Sequence, residues 1–198
     1  MVKRDIAGRG IHDQFVLKAM SEVPRERFVP DRFRESAYDD APLPIPGGQT
    51  ISQPYIVGLM IAALGLQGGE RVLDVGTGSG YAAAVLSRIA DHVYTIERHG
   101  SLTETAIRRF SELGYDNINA RHGDGRLGWS EYAPYDAIVV AAASSTVPDA
   151  LLEQLRVGGR LVIPVGDSAQ QTLVYIECVA SDRFARRQLE SVRFVPLV

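Results

Sequence analysis

Residues 71–81 have the sequence Arg71-Val72-Leu73-Asp74-Val75-Gly76-Thr77-Gly78-Ser79-Gly80-Tyr81. An apolar run passes here into three alternating glycines and then into a helical pattern. Glycine adopts positive φ angles and lets a ligand approach the backbone, so this spacing predicts a binding loop. Ligands of doubly wound sheets bind at the carboxyl ends of strands, which is where this loop must lie. The segment therefore predicts a strand, a ligand-binding turn and a helix.

The same order of strand, short turn and helix recurs from Glu70 onward, as expected for parallel strands joined by helical crossovers. The predicted strands are Arg71–Val75, His92–Ile96, Ile118–Arg121, Asp136–Ala141 and Arg160–Val165, with helices at roughly Tyr81–Ala90, Leu102–Leu113 and Pro148–Leu155. Two further strand-like runs, Thr172–Val179 and Arg186–Phe194, flank a short polar turn and predict an antiparallel pair. The expected fold class is α/β, a doubly wound, mostly parallel sheet with antiparallel C-terminal strands.

Residues 1–69 show a different pattern. Apolar residues at helical spacing predict a first helix that contains Ile11 and Met20, and Pro54 suits the first turn of a second helix. Five prolines between them predict a long, partly extended loop. Because no linker separates this part from residues 70–198, we expect one domain over residues 1–198, with N-terminal helices and a proline-rich loop set against an α/β core.

Composition and charge argue against several classes of partner. The 198 residues are 45% hydrophobic and carry a net charge of −3, without the basic excess that binding nucleic acid requires. The single Cys178 and four dispersed histidines lack the spacing of a metal site. No apolar run approaches the ~20 residues of a membrane span, and the N-terminus lacks a secretory apolar region. We expect no metal, no nucleic acid and no membrane partner, and a cytoplasmic location.

Acidic residues follow or end three of the predicted strands. Asp74 precedes the glycines, where its charge suits a cationic ligand and would repel a pyrophosphate. A dinucleotide-binding loop would place its third glycine at the position of Tyr81. Glu97 lies 21 residues after Gly76, where a carboxylate can accept both hydroxyls of a ribose, although a solvated glutamate paired with Arg98 is an alternative.

The glycine motif and the third acidic position resemble those of class I S-adenosylmethionine-dependent methyltransferases. Asp74-x-Gly76-x-Gly78-x-Gly80 is similar to their first motif, which implies that Asp74 helps to hold the amino-acid end of the cofactor. Asp124 resembles the acidic residue near the adenine, although a tight turn is the alternative. The resemblance implies a cofactor site formed by Asp74, Gly76, Thr77, Gly78, Ser79, Gly80, Glu97, Asp124 and Gly125.

A second motif, which runs from Leu43 to Tyr55, resembles that of the protein-L-isoaspartate methyltransferases, and further matches extend from Val23 to Val198. The resemblance implies methyl transfer from S-adenosylmethionine to the carboxylate of L-isoaspartyl residues in damaged proteins or peptides, a repair reaction that leaves S-adenosylhomocysteine. It implies Ser52 as the active-site residue, with Thr50, Ile51 and Gln53 as substrate contacts. Capping of the following helix is the alternative role of Ser52.

Two segments depart from the motif of this family. Pro46-Gly47 replaces the more usual Gly-His, and the segment Ala141–Pro148 also differs. Both changes leave open a methyltransferase of the same family that acts on an aspartate of a dedicated peptide or biosynthetic substrate. A nucleotide-dependent oxidoreductase and a module that binds the cofactor without catalysis are less favoured alternatives.

Overall fold

The computed structural model describes residues 1–198, which form nine strands and five α-helices. The strands are β1 Leu43–Ile45, β2 Gln49–Ile51, β3 Arg71–Val75, β4 His92–Glu97, β5 Ile118–His122, β6 Tyr135–Val140, β7 Leu155–Gly166, β8 Gln171–Ala180 and β9 Arg183–Val192. The helices are α1 Gln14–Glu22, α2 Pro54–Leu64, α3 Tyr81–Ser87, α4 Gly100–Leu113 and α5 Asp149–Glu153. No helix combines the length and apolar character needed to cross a membrane.

Seven strands form the central sheet in the order β5-β4-β3-β6-β7-β8-β9. Strands β3 to β7 pair in parallel, and β8 is antiparallel to both β7 and β9. This arrangement confirms the predicted fold class. The chain order reverses between β3 and β6, and the crevice at such a switch point is where doubly wound sheets bind ligands.

The two faces of the sheet are covered unequally. A cluster of 34 buried apolar residues packs helices α1 to α4 against one face, and a cluster of 15 packs α5 and the segment around Trp129 against the other. The larger cluster includes side chains from both sides of residue 70, such as Met20 of α1 and Val85 of α3. Burial of this size fixes the N-terminal helices to the sheet.

Several predicted boundaries were wrong because long-range partners determine them. Helix α1 begins only at Gln14, since Asp13 caps it by accepting from the Val16 N–H at 3.1 Å, so Ile11 precedes the helix. Helix α3 ends at Ser87 in a tightened turn rather than at Ala90. Helix α5 stops at Glu153 because Leu155 already pairs with Tyr135 in the sheet.

The C-terminal strand and the proline-rich loop also differ from prediction. Strand β9 ends at Val192, because the backbone N–H and C=O of Phe194 pair with the side chain of Gln171 instead of a strand. The expected loop contains the antiparallel hairpin β1–β2, whose turn has Gly47 at a φ of 72°. The last part of the predicted proline-rich loop is therefore an ordered hairpin.

Candidate active site

A cavity of about 280 Å³ opens at the carboxyl ends of β3 and β4, next to the switch point. The backbone N–H of Gly76 donates to the Ile96 carbonyl at 2.8 Å, and that of Ala141 donates to the Val75 carbonyl at 2.8 Å. These bonds hold the glycine loop between its neighbouring strands. The walls are formed by Gln49, Thr50, Ile51, Ser52, Val57, Val75, Gly76, Thr77, Gly78, Ser79, Tyr81, Ala82, Ile96, Glu97, Arg98, His99, Gly125, Ala141, Ala142, Val195, Pro196, Leu197 and Val198.

The three glycines of the loop serve different purposes. Gly76 and Gly78 have φ angles of 96° and 53° and line the cavity, so the backbone itself forms the wall. Gly80 does not line the cavity. A Cβ at Gly80 would lie 2.7 Å from the ring of Phe110, so this glycine permits close packing of α3 against α4. Gly80, which was predicted to form part of the cofactor site, therefore lies behind the cavity wall and does not line it.

Asp74 lies beneath the cavity and is fully buried. Its Oδ2 accepts from the Thr95 hydroxyl at 2.8 Å, and the Thr95 oxygen lies 2.6 Å from the Thr77 hydroxyl oxygen. When Asp74 is ionised, Thr95 donates its proton to Asp74, so Thr77 donates to Thr95. Asp74 Oδ1 has no partner, and burial raises the pKa of Asp74 to about 7. Asp74 itself does not line the cavity, and its carboxyl is linked to the cavity wall through Thr95 and Thr77.

We expect the raised pKa of Asp74 to make the ligand-free protein less stable as pH rises. Below about pH 4 the residue is protonated in both the folded and unfolded states, whereas between about pH 4 and pH 7 only the folded state keeps the proton. The free energy of unfolding should therefore fall across that window, by about 1.4 kcal/mol for each unit of pKa difference. Urea titrations of the wild type and Asp74→Asn should show a steeper fall in the wild type, and parallel curves would contradict it.

Glu97 ends β4 and is 5% exposed. Its Oε2 accepts from the backbone N–H of Gly78 at 2.8 Å, and its Oε1 accepts from that of His99 at 2.9 Å. The alternative of a solvated glutamate paired with Arg98 was wrong. Each oxygen has a further lone pair, so the carboxylate can hold the glycine loop and still accept from a ligand in the cavity.

The structure places Asp124 outside the cavity wall, which its neighbour Gly125 does line. Asp124 Oδ1 accepts from the backbone N–H of Arg126 at 2.9 Å, and its Oδ2 pairs with the Arg126 guanidinium at 2.7 Å. That guanidinium lowers the pKa of Asp124. The carboxylate thus forms the tight turn considered as its alternative role, and a contact with adenine stays a prediction.

Ser52 lies where the cavity meets a neighbouring cleft, and its hydroxyl has no hydrogen-bonded partner in the protein. The capping alternative was wrong, because Gln53 is the N-cap residue of α2 and no side chain of the cap position serves the helix. Asp40 does so instead, since its Oδ1 accepts from the Tyr55 N–H at 2.9 Å. The Ser52 hydroxyl is therefore free to bind a ligand.

The neighbouring cleft has a volume of about 420 Å³ and shares Thr50, Ser52, Ala141 and Val195 with the cavity. Its other walls are Arg9, Pro42, Gln53, Ile56, Glu190, Ser191, Val192, Arg193 and Phe194. Of the predicted substrate contacts, Thr50 lines both spaces, Ile51 only the cavity and Gln53 only the cleft. Gln53 donates its amide to Asp40 Oδ2 at 2.8 Å, so it also supports the wall of the cleft.

The hairpin β1–β2 covers one side of the cavity. The Ile45 side chain lies 3.5 Å from the position that a Cβ of Gly78 would take. At the base of the turn, Gln49 Nε2 lies 3.4 Å from His99 Nε2. The hairpin therefore spans from the glycine loop to the start of α4 and forms one wall of the cavity through residues 49–51.

The sequence analysis missed part of the cavity wall. Residues 195–198 reach it because Leu197 donates its N–H to the Ala143 carbonyl at 2.7 Å, and Ala143 donates to the Val195 carbonyl at 2.8 Å. In the sequence, residues 195–198 stand out only because they resemble the end of the isoaspartate methyltransferases, which does not indicate that they line the cavity. Arg98 and His99 were also missed as lining residues, although their position directly after Glu97 at a strand end would have indicated them.

The residues present fit a nucleoside that carries positive charge. The walls offer exposed backbone at Gly76 and Gly78, a buried carboxylate at Glu97, and, beneath them, the unpartnered Oδ1 of Asp74. The carboxyl groups of Glu97 and Asp74, neither of which forms an ion pair with Arg98 of the same wall, favour a cationic ligand over a pyrophosphate. No group of three or more His, Cys, Asp or Glu side chains is arranged to hold a metal ion.

Comparison with known proteins agrees with this geometry. A family model described as "Protein-L-isoaspartate(D-aspartate) O-methyltransferase (PCMT)" matches residues 1–198. The chain belongs to this family. Membership of the isoaspartate methyltransferase family contradicts the oxidoreductase alternative and confirms the resemblance found in the loop motif.

Two curated relatives illustrate the match with this family. "Protein-L-isoaspartate O-methyltransferase 2" of Pelobacter propionicus is 56% identical over 100% of this chain and 88% of its own length. A relative from Rhodopseudomonas palustris named "Protein-L-isoaspartate O-methyltransferase" is 54% identical over 100% of this chain and 91% of its own.

A solved protein-L-isoaspartate O-methyltransferase superposes with a TM-score of 0.86 at 31% identity, over 99% of this chain but only 65% of its own. The structure titled as a putative family member from Plasmodium falciparum, in complex with S-adenosyl-L-homocysteine, has a TM-score of 0.84 at 27% identity. That alignment covers 100% of this chain and 96% of the other. The isoaspartate methyltransferase fold is therefore shared along the whole chain.

Proposed function

We propose that this chain transfers a methyl group from S-adenosylmethionine to the free carboxylate of L-isoaspartyl residues in damaged proteins or peptides. The observation that carries the proposal is the unpartnered Ser52 hydroxyl at the junction of a nucleoside-sized cavity and an open cleft. Family membership over residues 1–198 supports the same reaction. The products are a methyl ester and S-adenosylhomocysteine. The activity is the first step of protein repair, because the ester cyclises without enzyme to a succinimide, with loss of methanol, and hydrolysis of the succinimide returns part of the damaged residue to aspartate.

The cavity residues divide the binding of the cofactor between them. Glu97 would accept from the ribose hydroxyls, the backbone of Gly76 and Gly78 would contact the amino-acid end, and Asp74 would act on that end through Thr95 and Thr77. Gly125, with Asp124 beside it, would flank the adenine. When bound, S-adenosylmethionine supplies a methyl group on a positively charged sulfur that a carboxylate oxygen can take up, leaving a neutral thioether.

Ser52 orients the substrate carboxylate from the cleft side. A carboxyl group has an ordinary pKa near 4, so it is ionised at neutral pH and needs no general base. The Ser52 hydroxyl can donate one hydrogen bond to one carboxylate oxygen and leave the other free to react. Holding the reacting oxygen about 3–3.5 Å from its target in the correct direction accounts for much of the rate in such reactions.

The hairpin β1–β2 excludes water from this junction. Opposite charges disappear during methyl transfer, so water stabilises the separated ions more than the transition state. The contacts of Ile45 near Gly78 and of Gln49 near His99 keep the hairpin over the cavity. Its turn at Pro46-Gly47 leaves no side chain at Gly47 to enter the site.

A pair of synthetic peptides tests the proposal. We expect methyl transfer to a peptide with one L-isoaspartyl residue, and at least roughly 100-fold lower kcat/KM on its normal aspartyl twin, because the aspartyl carboxylate stands on a side-chain methylene instead of directly on Cα and is therefore displaced from Ser52. Labelled methyl should be released by mild base, as expected for an ester. Equal rates on both peptides, or a preference for the aspartyl twin, would contradict repair and support a dedicated aspartyl substrate.

We also propose one domain over residues 1–198 and a cytoplasmic location. The buried cluster that joins α1 and α2 to α3 supports the first proposal, because these helices share one core. The single Cys178 is buried and free, which suits a reducing compartment and supports the second.

A further inference from the structure

Arg25 is a fully buried cation beside the active site, and it lines neither the cavity nor the cleft. It begins a short helical turn, Arg25–Phe28, between α1 and the hairpin. Its Nε donates to the Ala37 carbonyl at 2.8 Å and its Nη2 donates to the Ser52 carbonyl at 2.7 Å. Its guanidinium carbon lies 4.6 Å from the ring centroid of Tyr81.

Burying this charge is costly. No carboxylate lies within ion-pair distance of Arg25, and its Nη1 has no partner. Burial lowers the pKa of Arg25 accordingly. Removing an ion from water costs several kcal/mol, and packing alone would be served as well or better by an apolar side chain of similar volume. The two carbonyls that accept from Arg25 and the face of the Tyr81 ring offset part of the cost of burying its charge. The planar guanidinium makes these contacts in fixed directions.

The groups that Arg25 joins are the two halves of the site. Ser52 presents the hydroxyl that meets the substrate, whereas Tyr81 begins α3 directly after the glycine loop and lines the cavity. Ser52 follows the last residue of β2, and no other side chain bonds its carbonyl. The guanidinium therefore fixes the distance and orientation of the Ser52 backbone relative to the cofactor loop.

We infer that Arg25 is a positioning residue for methyl transfer, which holds the Ser52 hydroxyl in register with the cofactor cavity by anchoring the Ser52 carbonyl. The inference rests on the proposed function. It acts through Ser52 alone, so removing the Ser52 hydroxyl should remove the benefit of the anchor. Methyl transfer depends steeply on alignment, and small displacements of a positioned group lower rates by large factors.

The test uses Arg25→Lys, which keeps a positive charge but loses the forked geometry. We expect kcat on the isoaspartyl peptide to fall roughly tenfold, with the Kd of S-adenosylhomocysteine changed by less than about twofold. In the Ser52→Ala background the same substitution should change kcat by less than about twofold. The backbone amide of Gln53, which follows the Ser52 carbonyl, should shift in the ¹⁵N spectrum of Arg25→Lys without any substrate.

Arg160→Lys is the matched control, because Arg160 also donates to two backbone carbonyls, those of Leu64 and Gly65, but lies away from the cleft. It should keep kcat even if its Tm falls. An equal loss from Arg25→Lys in both Ser52 backgrounds, or an unchanged kcat, would overturn the inference.

Arg25→Gln serves as a second variant, and both are assayed with saturating cofactor, which favours the folded state. If neither folds while Arg160→Lys does, Arg25 serves stability and the inference is wrong. If the wild-type protein transfers no methyl group to the isoaspartyl peptide, the proposed function itself is wrong. If the wild type is active but the losses of kcat from Arg25→Lys and Ser52→Ala are additive, only the role of Arg25 is refuted.

Discussion

Ser52→Ala should lower kcat/KM on an isoaspartyl peptide by roughly 10- to 100-fold, which corresponds to the loss of one hydrogen bond to a charged group. The hydroxyl makes no hydrogen bond within the protein, so its removal leaves no buried group unpaired. The Tm should therefore stay within about 2 °C of the wild type, and the Kd of S-adenosylhomocysteine should change by less than about twofold.

Initial rates with labelled cofactor and isothermal calorimetry with S-adenosylhomocysteine measure the two effects separately. Ser111→Ala is a suitable control, because Ser111 is an exposed serine on α4 whose hydroxyl also has no partner. Unchanged turnover of Ser52→Ala would remove Ser52 from the site. A parallel loss of cofactor affinity would instead assign it to the cavity rather than to the substrate.

Glu97→Ala should have the largest effect on cofactor affinity and raise the Kd of S-adenosylhomocysteine by roughly 100-fold or more. The carboxylate bonds the N–H groups of Gly78 and His99 and is placed to accept from both ribose hydroxyls. Each hydrogen bond to a charged acceptor is worth about 1.5–3 kcal/mol, so losing two accounts for this factor. The glycine loop also loses an anchor, which adds to the loss.

Calorimetry of Glu97→Ala, Glu97→Gln and Glu104→Ala separates these contributions. Glu97→Gln keeps the shape but places an amide against backbone donors, so we expect an intermediate Kd. Glu104 is exposed on α4, and its substitution should leave the Kd unchanged. Wild-type affinity in Glu97→Ala would mean that the nucleoside does not occupy this cavity.

The central strands and the glycine loop could be predicted from the sequence because residues close together in the chain determine them. Period, apolar runs and turn residues placed β3 and β4 within a residue of their observed ends. Element boundaries that depend on partners distant in the sequence could not be predicted. Helix α5 is short because Leu155 pairs with Tyr135, and β9 ends early because Gln171 bonds the backbone of Phe194.

The site shows the same division. The positions of Ser52, Glu97 and Gly76 on the cavity wall were predictable from motif and spacing. Two residues that hold the site in place were not predictable from the sequence. Asp40 caps α2 from 15 residues away, and Arg25 reaches the Ser52 carbonyl from 27 residues away, so no local pattern marks either contact. Asp124 shows the converse, since its neighbour Arg126 holds the carboxylate that the motif assigned to a ligand.

The account depends most on the cavity beside Gly76 and Gly78 as the place where a sulfonium nucleoside binds with its donor end toward Ser52. A crystal structure of this chain with S-adenosylhomocysteine tests that claim directly. We expect the ribose hydroxyls within hydrogen-bond distance of Glu97 and the sulfur facing the Ser52 hydroxyl across the junction with the cleft. Density for the nucleoside elsewhere, or a sulfur that points away from Ser52, would contradict it.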